Sequence, residues 1–413
     1  MAGPPRIRTG FHDGRPRHHR IRFSDVTIVV VGLGADGWAG LPEPARAELA
    51  ACDVLFGSAR QLDLVPLDLP KHAWPSPLLP ALDELLSGHA GKRFGVLASG
   101  DPLLSGIGTT LVKRFEDVRI VPAVSSVTLA RARLGWSAEE TEVVSVVGRS
   151  VHRVSRVLTP SARVLVLSSD AATPAAVAEL LTAQGFGESG MTVLSRLGSP
   201  REHRVDGVAR TWSAEVDPLN VVAIECVGPG LPTLPGLPDD AFEHDGQLTK
   251  RDLRASALAR LAPLPGQLLW DVGAGAGSVA IEWSRAHPRN RAIAVERDQV
   301  RADRIRRNAE RLGVPELRVV TGPAPEALTG LPAPDAVFVG GGLASLDVCR
   351  EALRDGGRLV AHAVTLESEQ VLAAAYREHG GELVRLAVEH AAPLGGFTGW
   401  TPARTVTQWS YSK

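Results

Sequence analysis

The stretch "LLWDVGAGAGSVAIEW", residues 268–283, decides how the C-terminal half is read. A short apolar run, bounded like a buried parallel strand, carries Asp271 close to its end. Gly273, Gly275 and Gly277 follow at alternate positions, interleaved with Ala274 and Ala276. An apolar-periodic segment then predicts a helix. A strand, a tight glycine turn and a helix start bring bare backbone close to a nucleotide-like ligand. The dinucleotide fingerprint G-x-G-x-x-G, counted from Gly273, wants glycine where Ser278 stands. Asp-x-Gly-x-Gly-x-Gly fits S-adenosylmethionine (SAM) better. SAM has no pyrophosphate, so the turn must clear an amino acid and a ribose instead.

Two downstream positions extend the pattern. "RAIAVERD" places Glu296 at the end of the next strand, followed by Asp298. An acid there binds ribose hydroxyls in nicotinamide and SAM enzymes alike. "VVTGPAPEAL" places the small Ala324 where SAM enzymes line the adenine. The ordered series favours SAM over a glycine turn used only for packing. After the fourth strand comes "FVGGGLASL". It lacks the Asn/Asp-Pro-Pro-aromatic tetrad with which DNA and RNA amino-methylases commonly stack their target base.

The same alternation of strand and helix runs through the whole chain of 413 residues and predicts α/β layers with largely parallel sheets. A Pro/Gly-rich stretch, residues 228–246, interrupts it and has the composition of a linker. It divides a first domain, residues 25–227, from a second, residues 247–413. In the first, "TPAAVAELLTAQGFG" predicts a helix with Thr173 as N-cap and Pro174 in its first turn. The closing strands of the second fall near 382–390 and 404–411. Residues 1–24 read as a disordered basic tail, whose His18-His19 pair is expected to be solvated. Three scattered cysteines, Cys52, Cys226 and Cys349, form no C-x-x-C pair and suggest neither disulfides nor a metal site. The formal net charge is -1, without the basic excess of a nucleic-acid binder. No signal peptide or apolar span of about 18 residues is evident. The expectation is therefore a cytoplasmic protein with no membrane or nucleic-acid partner.

A second glycine turn lies near the start. "VVVGLGADGWAGL" carries Gly32, Gly34 and Gly37, formally a better dinucleotide fingerprint than the first turn. No acid ends the strand that follows; "DVLFGSARQL" runs into Gly57-Ser58. Instead "VLASGDPLLSGIG" places Ser99, Gly100, Asp101 and Pro102 at a strand end, and "VPAVSSVTLARARLGW" places Ser125 and Ser126 at another.

These segments resemble two known families. From about residue 26 to 227 the chain is similar to the tetrapyrrole methylases, most of all the precorrin C5-methyltransferase type. The resemblance implies a two-subdomain fold in which Gly32, Gly34, Ser99, Gly100, Asp101, Ser125 and Ser126 help hold SAM. Three positions depart from the family pattern: Ala35-Asp36-Gly37 in the first turn, Val147 before Gly148-Arg149, and Ser195 in place of a common Glu. From 247 to 413, "QLTKRDLRA", "DVGAGAGSVAIEW", "GPAPEAL", "PDAVFVGGG" and "GGRLVAHAVTLES" resemble, in order, the decarboxylating precorrin C15-methyltransferases. That resemblance implies a doubly wound, Rossmann-like class I SAM methyltransferase fold. Thr249, Gly273, Ala274, Gly275, Ala276, Gly277, Glu296 and Ala324 are the matching cofactor positions. His362 stands where relatives often have Asn.

The fusion implies a bifunctional SAM-dependent C-methyltransferase of cobalamin synthesis. It would methylate precorrin-6B at C5 and C15, decarboxylate the C12 acetate and release precorrin-8, using one SAM per domain. Relatives of both modules commonly associate, so a homo-oligomer is expected. No catalytic acid or base emerges, and no metal is implied. The substrate carries many carboxylates, so arginines are expected in the clefts. Arg251 and Arg254, just after Thr249, are candidates, with a solvated helix face as the other reading. The alternative functions are an RNA methyltransferase with an accessory first domain and, more weakly, a nicotinamide-dependent oxidoreductase.

Overall fold

The computed structural model describes residues 27–75, 78–87 and 91–413. The expected tail and its histidine pair lie outside the described residues. The chain forms two compact units. One runs through Glu139 and includes Val193–Val205 and Val216–Val221; the other comprises Glu140–Thr192, Asp206–Glu215 and Val222–Lys413.

The first unit is built on a parallel five-stranded sheet. Its spatial order is Lys71–Ala73, Val54–Gly57, Arg93–Ser99, Thr27–Leu33, Val118–Val121. Thr27–Leu33 is apolar almost throughout because both faces of its sheet are covered. Ile28 and Val30 enter one buried cluster, and Val29, Val31 and Leu33 enter another. Helix Ser126–Leu134 starts on a Ser125 cap and stops at Gly135, whose φ of 69° only glycine adopts cheaply.

A second five-stranded sheet has the order Thr141–Ser145, Arg163–Leu167, Asn220–Glu225, Gly190–Ser195, His203–Val208, and its first pair is parallel. Helix Thr173–Ala183 forms where expected, with Pro174 in its first turn. Its cap differs from the expectation. Ala172 occupies the N-cap, and Thr173 lies inside the helix. The Asp170 carboxylate accepts from the N–H groups of Ala172 and Thr173 at 2.9 and 3.0 Å. An acid slightly upstream thus does the capping, which frees Thr173 Oγ1 to accept from Ser169.

The C-terminal sheet of the second unit has seven strands. Their order is Arg318–Thr321, Arg291–Glu296, Leu268–Val272, Ala336–Val339, Arg358–Ala363, Val406–Ser412, Glu382–Leu386. The first five are parallel, and Val406–Ser412 runs antiparallel to both of its neighbours. Leu268, Trp270 and Val272 pack into one buried cluster and Leu269 into the other, so this sheet too is covered on both sides. Strands Leu268–Val272 and Ala336–Val339 are neighbours from which the connections diverge. Their carboxyl ends therefore open a crevice, the usual ligand position in such sheets. An exposed hairpin, Glu389–Leu394 with Phe397–Pro402, lies between the last two strands in sequence; sequence reading did not resolve it.

The Pro/Gly-rich stretch is irregular apart from one 3-10 turn, Asp239–Ala241, yet it is fastened down. Leu237 and Phe242 are buried with Ile281, Ala309 and Leu312. The Glu282 carboxylate accepts from the N–H groups of Gly236 and Leu237 at 2.6 and 3.0 Å.

Candidate functional site

The C-terminal glycine turn is built as its sequence demands. Gly273, Gly275 and Gly277 all have positive φ, at 71°, 58° and 76°. They also lack room for a side chain. A Cβ on Gly275 would stand 2.6 Å from the Gln247 carbonyl oxygen, and one on Gly273 would stand 2.9 Å from the Gly341 backbone. The turn is pinned to its neighbours by backbone bonds: Gly273 and Ala274 donate to Val295 O, and Ala276 donates to Gln247 O. Helix Ser278–Ala286 then leaves directly from Gly277.

Glu296 closes the turn from behind. It is buried, its Oε2 accepts from Gly275 N–H at 2.8 Å, and its Oε1 accepts from Asp298 N–H at 3.1 Å. Asp298 caps helix Gln299–Arg311 by accepting from Arg301 N–H. Asp271 is buried beneath the turn; one of its oxygens accepts from Ala280 N–H at 3.0 Å, and the other has no partner among the described residues. Desolvation, reinforced by the Glu296 charge, pushes its carboxyl up to about 7.

In front of the turn lies a cavity of about 1080 Å³. Ligand clefts commonly span roughly 300–1,000 Å³, so this one has room for a cofactor and part of a second molecule. Gly273, Ala274, Gly275 and Thr249 line it together with Gly340, Arg251, His362, His390 and Arg404. Ala276 and Gly277 are buried in the packing of the turn, and Glu296 reaches it through Gly275. Ala324 is half-buried against the core and does not line the cavity.

Of the two arginines proposed for substrate carboxylates, Arg251 lines the cavity and Arg254 does not. Arg254 is fully buried, with Nε 2.5 Å from Glu282 Oε1 and Nη1 3.2 Å from Asp239. It also donates to the Thr249 and Leu237 carbonyls. Neither the substrate role nor the solvated-face reading survives: a buried guanidinium needs a buried carboxylate, and Glu282 supplies it. Arg404, which follows the hairpin, was missed because nothing in the sequence marks it. Its position after the last strand of an exposed hairpin brings it to the cavity wall.

His362 sits near the carboxyl end of Arg358–Ala363, edge-on to Phe338 with ring centres 5.0 Å apart. Burial first, and then the Arg260 charge, push its imidazole down to about 4, so it is neutral near pH 7.

The N-terminal candidates converge at the carboxyl ends of three neighbouring strands. A Cβ on Gly32 would overlap the Gly100 carbonyl. Gly100, with φ 55°, donates to Leu33 O, and Ala123 donates back to Gly100 O. Ser99 Oγ accepts from Gln61 Nε2 at 3.1 Å. Asp101 Oδ1 accepts from Leu103 N–H at 2.8 Å, so it does shape its turn. Ser125 Oγ accepts from Thr128 N–H as the helix cap, and Ser126 opens the helix. Gly34 is crowded by the Asp36 carboxylate, which would meet a Cβ there. These residues form one ridge of bare backbone and small hydroxyls.

Two family models match the chain: a precorrin methyltransferase domain over residues 240–413, and tetrapyrrole (corrin/porphyrin) methylases over residues 27–212. Along nearly the whole chain it is 46% identical, over 398 residues, to a precorrin-6Y C(5,15)-methyltransferase (decarboxylating) of a Sinorhizobium species; the match covers 94% of this chain and 96% of that one. It is 47% identical over 397 residues to the protein so named from Mycobacterium tuberculosis strain H37Rv, with 94% and 100% covered. A probable cobalt-precorrin-6B C(15)-methyltransferase (decarboxylating) of Pyrobaculum calidifontis is 37% identical over 181 residues, which are 42% of this chain and 93% of that protein.

Proposed function

The chain belongs to the precorrin-6Y C5,15-methyltransferase (decarboxylating) family of cobalamin biosynthesis, and from that premise we propose that its two halves each hold a SAM and divide the work. The N-terminal half, residues 25–227, methylates C5 of precorrin-6B. The half from 247 to 413 methylates C15 and releases CO2 from the C12 acetate to give precorrin-8. The observation that carries this reading is the pair of tightly packed glycine turns, at the carboxyl ends of parallel strands in two different sheets. The C-terminal assignment is further supported by the shorter relative named for C15, which matches only part of the chain.

SAM supplies an electrophilic methyl group on its sulfonium. The chain's contribution is position. Bare backbone at Gly273–Gly275 admits the ligand closely, Thr249 borders the same space, and Glu296, which braces the turn through Gly275 N–H, is the carboxylate that would turn to the ribose hydroxyls. Ala324 lies outside this cavity, and its assignment to the adenine rests on the family resemblance alone. In the other half Gly32, Gly34, Ser99, Gly100, Asp101, Ser125 and Ser126 serve the same purpose. Reduced tetrapyrrole meso carbons are enamine-like nucleophiles, so alignment supplies much of the rate. Arg251 and Arg404 line the cavity and have no ion-pair partner among the described residues, which suits them to substrate carboxylates. The protein works in the cytoplasm as a homo-oligomer; the 83% exposed Phe397 and 72% exposed Trp400 on the hairpin support self-association.

Titration calorimetry of the full chain tests the proposal, with two SAM per chain expected. Incubation with precorrin-6B and labelled SAM should add two methyl groups and remove one CO2 by mass. A single SAM site, or tight NAD binding instead, would overturn it.

A further inference from the structure

His362 belongs to a hydrogen-bonded chain that runs from the surface of the sheet to the cavity. Glu382 accepts from Arg260 at 2.9 and 3.3 Å, and Ser256 Oγ accepts from the same guanidinium at 2.9 Å. Arg260 in turn faces the buried amide of Gln408, with Nε at 3.0 Å and Nη1 at 3.3 Å. A guanidinium only donates, so the Gln408 carbonyl must point toward it. The Gln408 NH2 is then left to donate to His362 Nε2, 2.9 Å away. Gln408 and His362 are also paired directly across the antiparallel strands.

This order fixes the tautomer. An Nε2 that accepts carries no proton, so the neutral ring holds its proton on Nδ1. Nδ1 has no partner among the described residues. It is also absent from the unpaired polar atoms sealed inside the protein, although the residue as a whole is buried. His362 lines the cavity beside Gly273–Gly275 and Gly340. The one open N–H of this ring is therefore the one available to the cavity that His362 lines.

We propose that the His362 Nδ1–H is a fixed, uncharged donor that orients the carboxylate lost as CO2, with Gln408 and Arg260 as positioning residues that set its tautomer. The inference rests on the C-terminal half carrying the decarboxylation. In that step the bond between the methylene and carboxylate carbons breaks, and CO2 leaves. The electron pair enters the conjugated macrocycle, and a proton from solvent ends on the methylene, making it a methyl group. A cation against the departing carboxylate would stabilise the ground state and slow its loss. A neutral N–H orients it with far less stabilisation. The free cations of the cavity, Arg251 and Arg404, are then left for carboxylates that stay.

The test uses the full chain with precorrin-6B, following methyl transfer and CO2 release separately. His362→Phe should lower CO2 release roughly ten- to hundredfold, the range of one hydrogen bond to a charged group, and leave SAM affinity within about twofold. His362→Asn, which keeps an N–H donor, should restore most of it. Gln408→Glu should mimic His362→Phe with the histidine still present, because a carboxylate beside Nε2 draws the proton there. Nitrogen chemical shifts of labelled histidine should show Nδ1–H in the wild type and Nε2–H in that variant. An Nε2–H signal in the wild type, or undiminished CO2 release by His362→Phe, overturns the inference while leaving the two methylations intact. A wild-type chain that neither methylates nor decarboxylates precorrin-6B overturns the proposed function with it.

Discussion

Glu282→Gln strikes the buried charge pair that ties Arg254 to the strap beside the C-terminal cavity. Arg254 is fully buried and Glu282 nearly so. The substitution keeps shape and volume but leaves the buried guanidinium only the partly exposed Asp239 as counter-ion. It also turns an NH2 toward one of the N–H groups that Glu282 now accepts, those of Gly236, Leu237 and Arg254. Removing one partner of a buried pair costs about 3–5 kcal/mol. For a domain of 150–250 residues each kcal/mol lowers Tm by roughly 2–4 °C, so calorimetric unfolding of the full chain should show a fall of about 6–20 °C in the transition that reports this half. Arg254 also holds the Thr249 carbonyl, so the loss should weaken SAM binding at the second site. Replacing both members by methionine should cost less than the two single changes added together, since no charge is then stranded. A Tm within about 2 °C of wild type for Glu282→Gln would refute the reasoning, because the pair would then not be dry.

Other outcomes follow from the same geometry. Gly275→Ala puts a side chain on a residue with φ 58° and a Cβ 2.6 Å from the Gln247 carbonyl, so calorimetry should lose one of two SAM sites. Gly32→Ala, which drives a methyl into the Gly100 carbonyl, should remove the other and abolish C5 methylation while C15 methylation persists. Asp271 titrates near 7 when folded but near 4 when unfolded, so ionisation favours the unfolded chain. Stability should therefore fall as pH rises from about 4 to 7, by at most about 4 kcal/mol, and level off above. Asp271→Asn should flatten that slope in denaturant titrations at pH 5 and 8; parallel profiles would count against a buried, strained carboxyl.

The parts legible in sequence are those where local backbone chemistry fixes the outcome. Alternate glycines after a strand leave few conformations, and the φ values at 273, 275 and 277 are the ones such a pattern requires. Glu296 was marked by its place at a strand end, where the structure buries it against the glycine turn. Arg254 was misjudged because helical spacing places it near the cavity opening but says nothing of the strap that covers it. Thr173 was misassigned because the helix starts one residue before a Thr173 cap would allow, with Asp170 accepting from the Ala172 and Thr173 N–H groups. The hairpin escaped because both of its faces are exposed, which erases the alternation that marks a half-buried strand. Nor does spacing reveal the role of His362, which depends on Gln408 and Arg260, remote in sequence and joined only by the sheet.

The fastening of the Pro/Gly-rich stretch bears on how this protein can be divided. Composition invites a cut anywhere between 228 and 246. The Glu282 carboxylate, however, grips the backbone at Gly236 and Leu237, and Leu237 and Phe242 complete the packing under helix Ser278–Ala286. A C-terminal half excised from residue 247 onward would leave a buried carboxylate without two of its donors and an apolar hollow open to water. One beginning before Pro229 takes its own lid along. The scissors belong upstream of the strap, and solubility of the two fragments should differ accordingly.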